Sequence, residues 1–140
     1  MTEQELKYLF KKQIPAAHKS LQEAYLMPEG EAKRYKIEAA MKHIEKGHEI
    51  LEKCFGKWNF KDELILIHKL ENFPIERTAS IFYGESDPNA IKKLKALENF
   101  AYKRLYKCLT TLEATQEAED AKIRQSMSER LKARQQRVRG

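Results

Sequence analysis

Apolar residues recur every three or four positions through most of this chain, and glycine and proline interrupt the pattern at only a few places. One stripe runs from Leu6 to Tyr25 and a second from Ile37 to Phe55. This spacing is typical of helices that bury one face and expose the other to water. With five glycines and four prolines among 140 residues, the sequence predicts an all-α fold.

The first domain is predicted to be an N-terminal helical hairpin spanning residues 1–56. Its two helices meet at a turn that contains Pro28 and Gly30, and the second helix ends at Gly56. Pro15 falls inside the first stripe without changing its phase, so we expect a kinked helix or two short helices nearly in line. His48 lies on the second stripe, which predicts a histidine buried in the core.

Residues 57–120 are predicted to form a second domain, a three-helix bundle packed on the hairpin. Its segments run from 62 to 72, from 74 to 83 and from 88 onward. Pro74 and Pro88 suit first helical positions, Gly84 suits the end of a helix, and Ser86 or Asp87 can cap the next helix.

Residues 121–140 form a basic tail, either helical or disordered. The tail carries seven basic residues and one acidic residue, a net charge of +6, whereas the first 120 residues carry 20 of each. Such a polycation favours phosphate backbones or acidic protein surfaces as partners. The candidate phosphate-binding residues of the tail are Arg130, Lys132, Arg134, Arg137 and Arg139.

Several functional classes find no support in the sequence. The longest apolar run is four residues, far below the roughly 20 that a membrane-spanning helix needs. The polar, acidic first residues do not resemble a signal peptide, and Cys54 and Cys108 follow no ligand spacing, so we expect a cytoplasmic protein with reduced thiols. The four histidines form no metal pattern, and no nucleophile motif or phosphate-binding glycine loop is present. We therefore expect no catalytic residue, no metal and no cofactor.

The stretch from Asp62 to Leu109 has the rhythm of a helix-turn-helix. Its first helix contains adjacent small residues, Ala79 and Ser80, and Gly84 lies in the turn. Gly84 has the expected spacing only if Ser80 takes the small-residue position. In the next helix the inner positions are Ile91, Leu94 and Leu97, and the outer positions are Asn89, Lys92, Lys93 and Ala96.

These residues resemble the helix-turn-helix of bacterial sigma factor region four and of the related phage late-gene transcription regulators of the ArpU and RinA type. The resemblance covers about residues 62–109 and implies a recognition helix that begins at Asp87. The residues it places on DNA are Ser86, Asn89, Lys92 and Lys93. The alternative is that three helices simply pack together and the lysines form a solvated face.

The leading hypothesis is a non-enzymatic DNA-binding transcription regulator, derived from a phage or a mobile element. In this hypothesis the hairpin contacts RNA polymerase or forms a homodimer. One alternative is a helical interaction module, an adaptor or inhibitor of a host protein, whose basic tail docks on an acidic surface. Another is RNA binding through the arginine-rich tail, which can fold into structured RNA.

Overall fold

A computed structural model describes the backbone of residues 1–139 and the side chains of residues 1–135. The described residues form helices joined by short turns and contain no strand, so the predicted all-α class is confirmed. In chain order the elements are α1 (Glu3–Tyr8), a π-helical turn (Leu9–Gln13), α2 (Ile14–Tyr25), α3 (Glu31–Cys54), α4 (Phe60–Leu70), α5 (Ile75–Tyr83) and α6 (Pro88–Arg139).

The π-helical turn lies directly before Pro15 and carries the helical path through that proline. Pro15 has no N–H to donate to the carbonyl of Lys11, so a regular α-helix would lose a hydrogen bond here. In the structure the N–H of Ile14 donates instead to the carbonyl of Leu9, five residues earlier. The wider turn accommodates the proline, and α1 therefore continues into α2 through this turn rather than ending at a break.

α2 and α3 pack antiparallel as a helical hairpin. Near the connecting turn, the ammonium group of Lys36 donates to the carboxylate of Glu23 at 2.8 Å. Farther from the turn, Gly47 of α3 lies against Ile14 and Phe10. Because higher residue numbers in α3 meet lower numbers in the preceding helices, the two run in opposite directions, as the sequence predicts.

Gly47 lies where α3 packs closely against Ile14 of α2 and Leu70 of α4. A Cβ atom at this position would lie 2.7 Å from Cδ1 of Ile14 and 2.9 Å from Cδ1 of Leu70. Both distances are well below an ordinary carbon–carbon contact of about 3.5–4.0 Å. The missing side chain is therefore what allows α3 to approach Ile14 and Leu70 this closely.

The buried face of α3 differs from the predicted stripe, and the prediction that His48 is a core histidine is wrong. The side chain of His48 is 69% exposed, and Phe55 at the end of the stripe is also exposed. Because Gly47 occupies the tight packing position, the next residue turns toward water. The buried residues of this helix are Ala40, Gly47, Ile50, Leu51 and Cys54.

The buried histidine is His68 of α4. Its Nδ1 lies 3.0 Å from the hydroxyl oxygen of Thr78 in α5, and its ring packs against that of Phe73 with 4.7 Å between centroids. Burial lowers the pKa of His68 below its ordinary value. The neutral imidazole is therefore the form that suits this contact between α4 and α5.

Residues 1–108 form one compact unit and residues 109–140 a second. In the first unit, Ile65 of α4, Thr78 of α5 and Leu94 of α6 line a small cavity of about 40 Å³. The division falls before the boundary that the sequence predicts at residue 120. No described helix in residues 3–139 combines the length and apolarity that crossing a lipid bilayer requires.

Candidate nucleic-acid interface

A tight turn separates α5 from α6 and fixes where α6 begins. Gly84 ends α5 in the left-handed region, with φ of 73°, a conformation that glycine adopts without steric cost. The Asp87 carboxylate then accepts a hydrogen bond from the backbone N–H of Ala90 at 2.8 Å. Of the two predicted capping residues, Asp87 makes this contact. Pro88 follows at the first helical position.

The first turns of α6 divide cleanly into a buried face and an exposed face. Ala90 and Leu94 are each 2% exposed and pack into the first unit. The four residues that the sequence places on DNA in this region are all exposed and lie together at the start of the helix: Ser86, Asn89, Lys92 and Lys93. The N-terminal hairpin does not cover them, so this face is open to a partner.

The basic surface of α6 extends beyond the predicted residues. Residues 88–108 contain six basic side chains and one acidic side chain, Glu98. Glu98 is buried, where its carboxylate accepts a hydrogen bond from the Tyr102 hydroxyl at 2.6 Å and pairs with Lys69 at 3.2 Å. The exposed basic residues that sequence reasoning left out are Lys95, Lys103, Arg104 and Lys107. A neutral average over residues 1–120 concealed this concentration of charge.

Tyr102 and Glu98 anchor the inner side of this basic helix. Tyr102 is fully buried, and burial together with the neighbouring Glu98 carboxylate raises the pKa of its hydroxyl above the ordinary value. The hydroxyl therefore stays protonated and serves as a permanent donor to Glu98.

Arg104 has a structural role as well as an exposed position. Its guanidinium donates to the carboxylate of Asp62 at 2.7 Å, and Asp62 is almost fully buried at the start of α4. The exposed ring of Phe100 lies beneath both Arg104 and Lys103, about 5.8 and 5.9 Å from their charged groups. Arg104 therefore ties α6 to α4.

Of the two adjacent small residues in α5, the structure buries Ala79 and not Ser80. Ala79 is fully buried, whereas Ser80 is exposed. The spacing from Gly84 that a helix-turn-helix requires would need Ser80 in the buried position, and this condition is not met. α5 turns Ala79 inward together with Thr78, so Ser80 faces solvent.

The predicted tail residues belong to the second unit, residues 109–140. Arg130, Lys132 and Arg134 are exposed on α6. The side chains of Arg137 and Arg139 lie outside the described part of the chain. The start of α6, by contrast, belongs to the first unit, residues 1–108.

A second basic surface lies on the hairpin. A groove of about 880 Å³ runs between α3 and the helical segments before Pro15, and among the described residues that line it Glu5 is the only acidic one. Its basic lining residues are Lys7, Lys11, Lys12, Lys42 and Lys46. Sequence reasoning missed it because the lysines come from separate helices and acidic residues such as Glu5 and Glu45 lie near them in the sequence.

The described part of the chain contains neither a reactive Cys54 thiolate nor a cluster of metal ligands. Burial and a hydrogen bond with Cys108 raise the pKa of the Cys54 thiol to about 12, which leaves it protonated and unreactive at neutral pH. Both cysteines are free. Within the described residues, no group of three or more His, Cys, Asp or Glu side chains could hold a metal ion.

Comparison with protein-family models, curated proteins and solved structures finds no match to this chain. The resemblance to sigma factor region four accordingly remains a prediction from the residues.

Proposed function

We propose that this protein is a non-enzymatic, DNA-binding transcription regulator that inserts the start of α6 into the major groove. The observation that supports this most is the exposed basic face formed by Asn89, Lys92 and Lys93 directly after a capped turn. A recognition helix needs such an uncovered N-terminal face, because its first turns reach the base edges.

The residue types on this face suit base and backbone contacts. The amide of Asn89 can bind an adenine edge in a bidentate manner, and a lysine can bind guanine or a phosphate. The cap at Asp87 and the buried contacts of Ala90 and Leu94 hold the face rigidly on the first unit. In this proposal, α6 supplies sequence discrimination.

The arginines and lysines of residues 121–140 supply affinity instead. Each phosphate that a cation neutralises releases counterions, which makes binding strongly dependent on salt. Arg130, Lys132 and Arg134 are exposed and available for such contacts. The role in transcription, the origin in a phage or mobile element and the contact of the hairpin with RNA polymerase rest on the region-four resemblance.

Fluorescence anisotropy with a labelled pool of mixed-sequence duplex DNA tests the proposal. If five cations contact phosphates, affinity falls with a log–log salt slope of about −4.5, roughly 500-fold between about 50 and 200 mM salt. The double variant Lys92→Gln/Lys93→Gln removes two of these contacts, so the slope should become shallower by about 1.8.

Lys19→Gln/Lys53→Gln is the matched control, because it removes the same charge from exposed positions on the hairpin outside the basic groove. It should leave the slope nearly unchanged. Structured RNA and single-stranded DNA are titrated in parallel. Stronger binding to RNA would favour the alternative of RNA recognition through the tail. Absence of duplex binding, combined with capture of one protein partner, would favour the interaction module.

A further inference from the structure

The second unit exposes an apolar ridge on α6. Ile123, Met127 and Leu131 are each between 58% and 59% exposed and are spaced four residues apart. At about 100° per residue, this spacing places them within an arc of about 80° on one side of the helix. An isolated helix in water is only marginally stable, so covering such a ridge stabilises it.

The charges of this segment change sign along its length. Residues 109–120 contain four acidic side chains and no basic one, whereas residues 121–140 contain seven basic side chains and one acidic one. A second copy placed parallel would bring like charges together along the whole helix. An antiparallel copy would instead bring acidic residues near the start of the segment beside basic residues near its end.

We propose that residues 115–139 pair with the same residues of a second copy as an antiparallel helix pair centred on Met127. With a two-fold axis at this residue, Met127 meets Met127 and Ile123 meets Leu131. The same axis places Asp120 opposite Arg134, because both lie seven residues from Met127 in opposite directions.

Only this register pairs all three ridge residues with one another, and it also brings Glu117, Glu119 and Asp120 beside the basic stretch 134–139. Its one like-charge contact near the ridge is between Arg124 and Arg130, each about 60° from Met127 around the helix. Asp120 and Arg134 lie within about 20° of Met127 around the helix, so both border the ridge. A two-fold axis at residue 125 would instead pair Ile123 with Met127 but place Leu131 against Glu119. Apolar burial against a carboxylate is unfavourable, which excludes that register.

The pairing leaves other cations available for phosphate. Lys122 and Lys132 lie about 140° from Met127 around the helix, on the side that faces away from the second copy. The pairing rests on the apolar ridge and on the order of charges along the helix, so it does not require the proposed DNA binding and is compatible with it.

Sedimentation equilibrium of the full-length protein without nucleic acid tests the pairing. The apparent mass should rise with concentration from 16.5 kDa toward twice that value. Met127→Asp places two carboxylates against each other at the axis and should weaken association at least about tenfold. Gln125→Asp is the matched control, because it adds the same charge on the opposite side of the helix and should leave association nearly unchanged.

Charge exchange distinguishes antiparallel from parallel pairing. Asp120→Arg and Arg134→Asp should each weaken association, and the double variant should restore it because every pair regains opposite charges. In a parallel pair the double variant would restore nothing, which would overturn the proposed orientation. A single 16.5 kDa species at every concentration, or equal behaviour of Met127→Asp and Gln125→Asp, would overturn the pairing itself. Circular dichroism checks that each variant retains its helix content.

Discussion

Gly47→Ala should destabilise the first unit, although alanine is the better helix former. Alanine in a helix interior is worth about 1 kcal/mol over glycine. Against this, the new methyl group would lie 2.7 Å from Cδ1 of Ile14 and 2.9 Å from Cδ1 of Leu70. Ile14 is fully buried and Leu70 is 8% exposed, so neither methyl group can move into solvent.

The expected loss of unfolding free energy in Gly47→Ala follows from two opposing effects, the cost of overpacking and the gain in helix propensity. Each methyl group has to retreat by roughly 0.7 Å to reach ordinary contact, and overpacking of a filled core costs about 1–3 kcal/mol. Subtracting the helix-propensity gain leaves a net destabilisation of about 0–2 kcal/mol. Urea denaturation followed by circular dichroism measures this difference in the free energy of unfolding.

Two comparisons separate the packing effect from the propensity effect. Ala39→Gly, at an exposed position of the same helix, reports the propensity difference alone and should destabilise by about 0.5–1 kcal/mol. Ile14→Val removes the nearer methyl group, so Gly47→Ala should cost less in that background. If Gly47→Ala stabilises the protein by as much as Ala39→Gly destabilises it, the close-packing argument is refuted.

Three further predictions concern buried polar groups of the first unit. Because burial lowers the pKa of His68 below 6.5, the unfolded state takes up the proton more readily, and the stability of the protein should decrease as the pH falls below that value. The difference between the urea midpoints at about pH 8 and about pH 5 should therefore be smaller in the His68→Gln variant than in the unaltered protein. Arg104→Met leaves the buried Asp62 carboxylate without its cation and should cost about 1–3 kcal/mol; adding Asp62→Asn should recover part of the loss, and no recovery would contradict the pairing. Tyr102→Phe removes the hydrogen bond to Glu98 and should also lower the free energy of unfolding by about 1–3 kcal/mol, measured by urea denaturation. An unchanged urea midpoint would argue against that hydrogen bond.

The helix boundaries could be predicted from the sequence because local chemistry sets them. Gly84 in the left-handed region and the Asp87 cap act through neighbouring residues, so a stretch of a few positions contains the necessary information. The prediction for α3 was less accurate, since a hydrophobic pattern assigns no weight to a glycine. Gly47 is buried because Ile14 and Leu70 approach it from distant parts of the chain.

At the candidate site too, the features that depend on contacts between distant residues could not be predicted from the sequence. Lys92 and Lys93 could be found because they follow a recognisable turn and cap. Sequence reasoning left out Lys95 and Lys103, because their significance depends on Glu98 being buried. Burial of that carboxylate comes from contacts with Tyr102 and Lys69, and these contacts arise only in the folded protein.

The acidic block at residues 109–120 links the two proposals. It separates the basic start of α6 from the basic residues after 120, and its four carboxylates would be repelled by DNA phosphates. Antiparallel pairing centred on Met127 places basic residues of the second copy beside Glu117, Glu119 and Asp120 and reduces the repulsion of these three carboxylates. Met127→Asp should therefore weaken duplex DNA binding by more than Gln125→Asp, although both add one negative charge. Anisotropy titrations of the two variants at equal salt measure the difference, and equal losses of affinity would show that pairing does not contribute to DNA binding.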